Sequence, residues 1–230
     1  LMSAFLLLSA FSCGGGNKAN STSEQSEETA VNVPQFDADS AYLYVKNQVD
    51  FGPRVPNTKE HVACGNYLAG QLEAFGAQVT NQYADLIAYD GTLLKARNII
   101  GSYKPESKKR IALFAHWDTR PWADNDPDEK NHNTPILGAN DGASGVGALL
   151  EIARLVNQQQ PELGIDIILL DAEDYGAPQF YTGQHKEEFW CLGSQYWARN
   201  PHVQGYNARF GILLDMVGGE GSVFMKEGYS

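Results

Sequence analysis

The sequence predicts an α/β fold, with a doubly wound, mostly parallel central sheet and helices on both faces. Three observations carry that expectation. Three short runs, at 111–115, 165–170 and 210–214, are apolar almost throughout rather than alternating, the pattern of strands buried on both faces. Helical patterns separate them, over 143–157 and roughly 186–199, and strands alternating with helices indicate a parallel, doubly wound sheet. Each run also exits into acidic or imidazole groups, where open α/β sheets place their ligand crevice.

The chain begins with an apolar run over 4–11 that ends in Ser12-Cys13-Gly14-Gly15-Gly16. A membrane-spanning helix needs roughly 20 apolar residues, so this run reads as the apolar part of a signal peptide. A Cys in that place, followed by a Gly, Ser and Asn-rich stretch, resembles a bacterial lipoprotein signal. The expectation is a partial signal peptide over 1–12 and a disordered lipoprotein tether over 13–35. The protein would then be exported, as a periplasmic or cell-surface lipoprotein of a bacterium. It would touch the membrane only through a lipid anchor at Cys13.

From 36 to 230 the sequence shows no internal repeat and no domain boundary and reads as a single domain. Tyr42, Val45 and Val49 recur at helical spacing, and the turn Phe51-Gly52-Pro53-Arg54-Val55-Pro56 stops that helix. A second helix over 61–75 carries Tyr67, Leu68, Leu72 and Phe75 on one side, with Gly76 at its end. Strands at 79–83 and 97–103 flank the hairpin-like Tyr89-Asp90-Gly91. The three apolar runs and their intervening helices follow.

Composition narrows the partners. Seventeen basic residues against 28 acidic ones leave a net charge of −11, which repels nucleic acid and anionic membrane surfaces at long range. With Cys13 assigned to the anchor, Cys64 and Cys191 allow one disulfide in an exported protein. Two separately buried thiols are the equal or better expectation. The oligomeric state is left open.

The strand exits hold the chemistry. The first leads into His116-Trp117-Asp118, the second into Asp171-Ala172-Glu173-Asp174, and the third into Asp215. Between the first two lies Gly138-Ala139-Asn140-Asp141-Gly142, just before a helix. Each residue has a plain structural reading. Asp141 suits a helix N-cap, Glu173 and Asp174 a solvated strand end, His116 a core histidine beside Asp118, and Asp215 a turn. Their joint occurrence at successive strand ends argues otherwise. So many carboxylates in one crevice are costly unless a cation neutralises them, and a set that includes an imidazole points to zinc.

These motifs also resemble a known superfamily. His116-x-Asp118, the Gly138–Gly145 segment, Glu173-Asp174, Gly193-Ser194 and Leu213-Leu214-Asp215 follow in order the motifs of the co-catalytic zinc aminopeptidases. The segments from His116 to Asp124, Asp171 to Gly176 and Phe51 to Val55 are closer to the glutaminyl-peptide cyclotransferases, particularly bacterial ones. The resemblance implies a zinc aminopeptidase-like fold over 36–230, truncated at its C-terminus. It implies that Asp141 and Asp174 bind one zinc ion, with a third ligand, a His, beyond the end of this chain. Many members carry Glu where this chain has Asp174. Glu173 matches the general acid/base, and Asp215 a catalytic residue near the reacting amide. Asp118 and His116 would orient the ligands from behind, although His116 and Asp215 match second-metal ligands in the two-metal aminopeptidases. Trp190 is the candidate wall of the substrate pocket.

The function so implied is zinc-dependent cyclisation of the N-terminal glutamine of peptides or proteins to pyroglutamate, with release of ammonia. The alternatives are a zinc aminopeptidase and a metal-free binding module on the same fold.

Overall fold

All three apolar runs are strands in the computed structural model, which describes residues 33–224. They are β3 (Arg110–His116), β4 (Gly164–Leu170) and β5 (Gly211–Leu213). β3 lies between the other two and pairs with both in parallel, Ile111 opposite Ile165 and Ala112 opposite Gly211. The expected signal peptide, Cys13 and the tether as far as residue 32 lie outside the described residues.

Two further strands, β1 (Gln78–Ile87) and β2 (Leu93–Tyr103), extend the sheet beyond β4 in the order β1-β2-β4-β3-β5. A short turn, closed by the Gly91 N–H on the Ala88 carbonyl at 3.0 Å, joins them. A connection that short permits only antiparallel pairing. β2 in turn meets β4 antiparallel. The sheet is therefore mixed, with its parallel part confined to the three apolar strands that carry the site.

Helices cover both faces. Asp37 caps α1 (Ala38–Asp50) by accepting the N–H groups of Asp39 and Ser40, and Thr58 caps α2 (Lys59–Ala74) through the His61 N–H. The third helix, α3 (Ala143–Gln158), joins β3 to β4, and α4 (Leu192–Arg199) lies between β4 and β5. The segment before α4 forms only a short 3₁₀ turn at Glu187–Phe189, and Cys191, at φ +54°, breaks it from the helix proper. That is why the helix starts later than its apolar pattern suggests.

Alternate residues of each strand enter different cores. Ile99, Leu113, Ala115, Ile165, Ile167 and Leu169 pack with Leu68 and Leu72 of α2 and with Val146, Leu149 and Leu150 of α3. On the other face Ile100, Ala112, Ile168 and Leu170 meet Phe114 and Trp197. Asp166 interrupts the apolar run of β4 and is fully buried. It is satisfied by Arg110 at 2.5 and 2.8 Å, the Ser102 hydroxyl at 2.6 Å and the Tyr206 hydroxyl at 2.7 Å.

One expectation needs correcting. The run at 210–214 is not buried on both faces, since Phe210, Ile212 and Leu213 are 55%, 45% and 62% exposed. β5 is the edge of the described sheet, three residues long and paired only with β3, so its outer side has no described neighbour. Cys64 is buried and Cys191 half-buried, and both are free thiols. No described helix is long and apolar enough to cross a membrane.

Candidate metal and catalytic centre

His116, the last residue of β3, is the hub at which the strand exits meet. Its Nε2 lies 2.9 Å from Asp141 Oδ1 and 3.5 Å from Asp215 Oδ1. Its Nδ1 lies 3.5 Å from Asp118 Oδ1 and 3.9 Å from Glu173 Oε2. Asp174 completes a group of three, because one donor atom each from His116, Asp141 and Asp174 falls within 4.8 Å of the others. The sequence reading paired Asp141 with Asp174 and set His116 behind them; the fold brings all three together.

The polar balance of this group is incomplete. Both ring nitrogens of His116 and Asp174 Oδ2 are buried without a hydrogen-bond partner; the approach of Asp141 to the ring is close but not directed as a hydrogen bond. Buried polar atoms are otherwise almost always satisfied. An imidazole and a carboxylate left in this condition, with the Asp141 carboxylate in reach of both, are the donor set that zinc takes, so the residues present fit that ion.

Asp118 organises the acidic pair. Its fully buried carboxylate accepts the Glu173 N–H on Oδ1 and the Asp174 N–H on Oδ2, each at 3.1 Å. Backbone strain gathers around the same residues. Ala172, just before Glu173, Cys191, which touches it, and Met216, just after Asp215, all hold left-handed φ values of +51°, +54° and +49°. Such strain concentrates where surrounding structure enforces a functional geometry. Gly142 sits at φ +93°, and a Cβ there would lie 2.6 Å from the Asp118 carbonyl oxygen. Gly142, and not Asp141, occupies the N-cap position of α3, and no side chain caps the helix. The Asp141 carboxylate is therefore free for other work.

Electrostatics follow from this crowding. Burial, reinforced by Asp118, Glu173 and Asp141, pushes the Asp174 carboxyl up to about 9. Burial alone would lower the His116 imidazole, but the carboxylates of Asp118, Asp141 and Asp215 outweigh it and raise it well above its usual range. Asp215 is held below the usual carboxylate range by His116. The Cys191 thiol donates to Glu173 Oε1 at 3.2 Å, and burial with that carboxylate pushes it up to about 12.

Cavities open on two sides. Trp190 lines one of about 340 Å³ together with Asp141, Asp174, Arg120 and Asp124. Glu173, His116 and Asp215 border a more apolar one of about 480 Å³ with Cys191, Trp197 and Leu213. Every sequence-predicted site residue thus lines one of these cavities or, like Asp118, supports it.

Three supports were not foreseen. His61 of α2 pairs with the fully buried Asp171 at 2.8 Å and stacks on Trp117 at 4.3 Å; its place on the inward face of a helix was the available signal. Asp171 also accepts the Arg97 N–H at 2.6 Å. Arg54, fully buried, donates to the carbonyls of Leu137 and Gly138 beneath the Asp141 loop, and nothing local in its turn announces that reach. Arg120 ties several of these parts together, as described below.

Comparison with known proteins agrees with this geometry. The profile of peptidase family M28 matches residues 98–229. A crystal structure of *Bacteroides thetaiotaomicron* glutaminyl cyclase bound to N-acetylhistamine is 94% identical, covers 86% of this chain and 68% of its own, and superposes with a TM-score of 0.85. A structure described as a leucine aminopeptidase precursor from the same organism gives the same identity, coverages and TM-score. The glutaminyl-peptide cyclotransferase of *Drosophila melanogaster* is 24% identical over 195 residues, 79% of this chain and 50% of that protein. The chain spans half or less of the length of the curated relatives it matches.

Proposed function

The chain belongs to peptidase family M28, and we propose that within it the protein is a zinc-dependent glutaminyl-peptide cyclotransferase. It would convert N-terminal glutamine of peptides and proteins to pyroglutamate and release ammonia. The observation that carries this reading is the 94% identity to a bacterial glutaminyl cyclase over 86% of this chain, with the family match over 98–229 spanning the strand-end cluster.

The reaction joins two groups of one residue. The α-amine attacks the side-chain amide carbon, a C–N bond forms, and the bond to the amide nitrogen breaks. The protein's main task is therefore to fix geometry and move one proton. Glu173 takes that proton from the attacking amine and returns it to the departing ammonia. Asp118, by holding the backbone of residues 173 and 174, keeps the shuttle beside the ligand. Asp141 and Asp174 would hold the ion, with His116 a third donor in reach. Bound there, zinc would polarise the amide carbonyl. Asp215 borders the same side as Glu173 and would receive the amide as a hydrogen-bond acceptor. The proposed membrane attachment, through a lipid at Cys13, rests on sequence pattern alone.

One observation favours a second reading. His116 Nε2 faces both Asp141 and Asp215, a further set of donors suited to a second ion and hence to a two-metal aminopeptidase. A metal-free binding module is disfavoured by the unpartnered buried atoms. The test uses the product of the complete gene. Given a glutaminyl peptide it should release ammonia and leave a blocked N-terminus, while leucyl and alanyl peptides stay uncut. Glu173→Gln should abolish turnover with the metal retained, and Asp141→Ala should lose the metal. Release of free amino acids, rising with a second equivalent of zinc, would establish the aminopeptidase instead.

A further inference from the structure

We infer that Arg120 is a positioning residue that holds Trp190 against the ligand-bearing turn and so sets the width of the cavity beside Asp141 and Asp174. The inference rests on the proposed function only in taking that cavity as the seat of the substrate side chain.

Two groups press on the indole of Trp190. One is Gly176, where a Cβ would come within 2.1 Å of the indole ring; the ring lies so close to the backbone that no larger residue fits. The second is the Arg120 guanidinium, its central carbon 4.8 Å from the ring centroid. The same guanidinium stands 5.7 Å from the Trp122 ring. Planar, delocalised charge suits this stacking, and lysine would not reproduce it.

Arg120 is itself fixed. Asp124, only 4% exposed, takes it in a two-pronged pair at 2.7 and 2.5 Å and also accepts the Gln179 N–H at 2.8 Å. The remaining donors reach the Asp174 carbonyl at 3.2 Å and the Ala177 carbonyl at 3.4 Å. One side chain thus contacts the backbone of a candidate metal ligand, the turn after it, and the aromatic wall. This gives a role to the Arg120-x-Trp122-x-Asp124 part of the strand-exit motif, which metal binding and proton transfer leave unused.

A wall held this way affects how tightly the substrate side chain is gripped more than how fast it reacts. Loss of a desolvated cation–aromatic contact corresponds to roughly tenfold in binding. In the full-length protein, Arg120→Ala should raise KM for a glutaminyl peptide about tenfold while kcat falls by less than about threefold. Acrylamide quenching should separate the wall from the chemistry. Trp190 emission, obtained as the difference from Trp190→Phe in each background, should become more accessible in Arg120→Ala. Arg120→Lys should recover only part of both effects. Asp124→Asn, which keeps the guanidinium but loosens its anchor, should shift both in the same direction and serves if Arg120→Ala does not fold. Unchanged Trp190 quenching in Asp124→Asn and in the folded Arg120 variants would overturn the inference. If the unaltered protein forms no pyroglutamate, the cyclase reading falls, and quenching still decides the role of Arg120.

Discussion

Asp118→Asn isolates the support beneath the acidic pair. The wild-type carboxylate is fully buried and accepts two backbone N–H groups, those of Glu173 and Asp174, each at 3.1 Å. Asparagine keeps the shape but offers one acceptor oxygen, and its NH₂ must face the other N–H. One buried donor then loses its partner, which costs about 1–3 kcal/mol. Alanine orphans both and should cost about twice as much. At a urea slope of about 2 kcal/mol per molar, a 2 kcal/mol loss moves the unfolding midpoint down by about 1 M. The turn that presents Asp174 also loosens, so metal affinity should fall about 10–100-fold, the usual effect of losing a group that orients a ligand. Urea melts followed by circular dichroism, with zinc titration against a competing chelator, would measure both. If Asp118→Asn unfolds within about 0.2 M of wild type and binds zinc as tightly, Asp118 does not act through those two hydrogen bonds.

Three further outcomes are expected. Without metal, the Asp174 carboxyl sits near 9 against an unfolded value of 3.8, so the fold favours its protonated form. The stabilisation that results is complete below about pH 4 and is lost as pH rises toward 9; Asp174→Asn should flatten that loss in metal-free melts. Because a bound ion requires the ionised carboxylate, zinc uptake near neutral pH should release a proton, detectable by calorimetry in buffers of different ionisation enthalpy. Cells expressing the complete gene should hold the protein in the membrane fraction, and Cys13→Ala should release it or leave the signal uncleaved. Recovery of the unaltered protein from the cytoplasm would refute the anchor.

The parts of this fold legible in the sequence were those fixed by short-range pattern. Two-sided burial made the runs at 111–115 and 165–170 readable as central strands, and the parallel topology followed from their spacing. The same pattern misled at 210–214, because an apolar run carries no mark of whether its outer face has a neighbour. The site was legible because open α/β sheets gather their strand exits, so His116, Asp118, Asp141, Glu173, Asp174 and Asp215 could be assembled without a contact being seen. What escaped were contacts between residues distant in sequence with no shared motif. Arg54 reaches the carbonyls under the Asp141 loop, and His61 of α2 reaches Asp171 just past the end of β4. Only packing decides such pairs, and local sequence does not encode it.

The central place of β3 has a consequence for the order in which the protein is made. β3 is flanked on both sides by strands synthesised after it, β4 and β5. The β1–β2 hairpin can close within microseconds of emerging, yet it too must wait for β4 before it joins the sheet. His116 and Asp141 both follow β3, but Asp174 follows β4, so the group is complete only once β4 has joined the sheet. Pairings between such distant segments form slowly. An ion bound there would therefore find its full donor set only after β4 has paired with β3. It would enter a sheet already built, unlike the zinc of small finger domains, around which the chain folds.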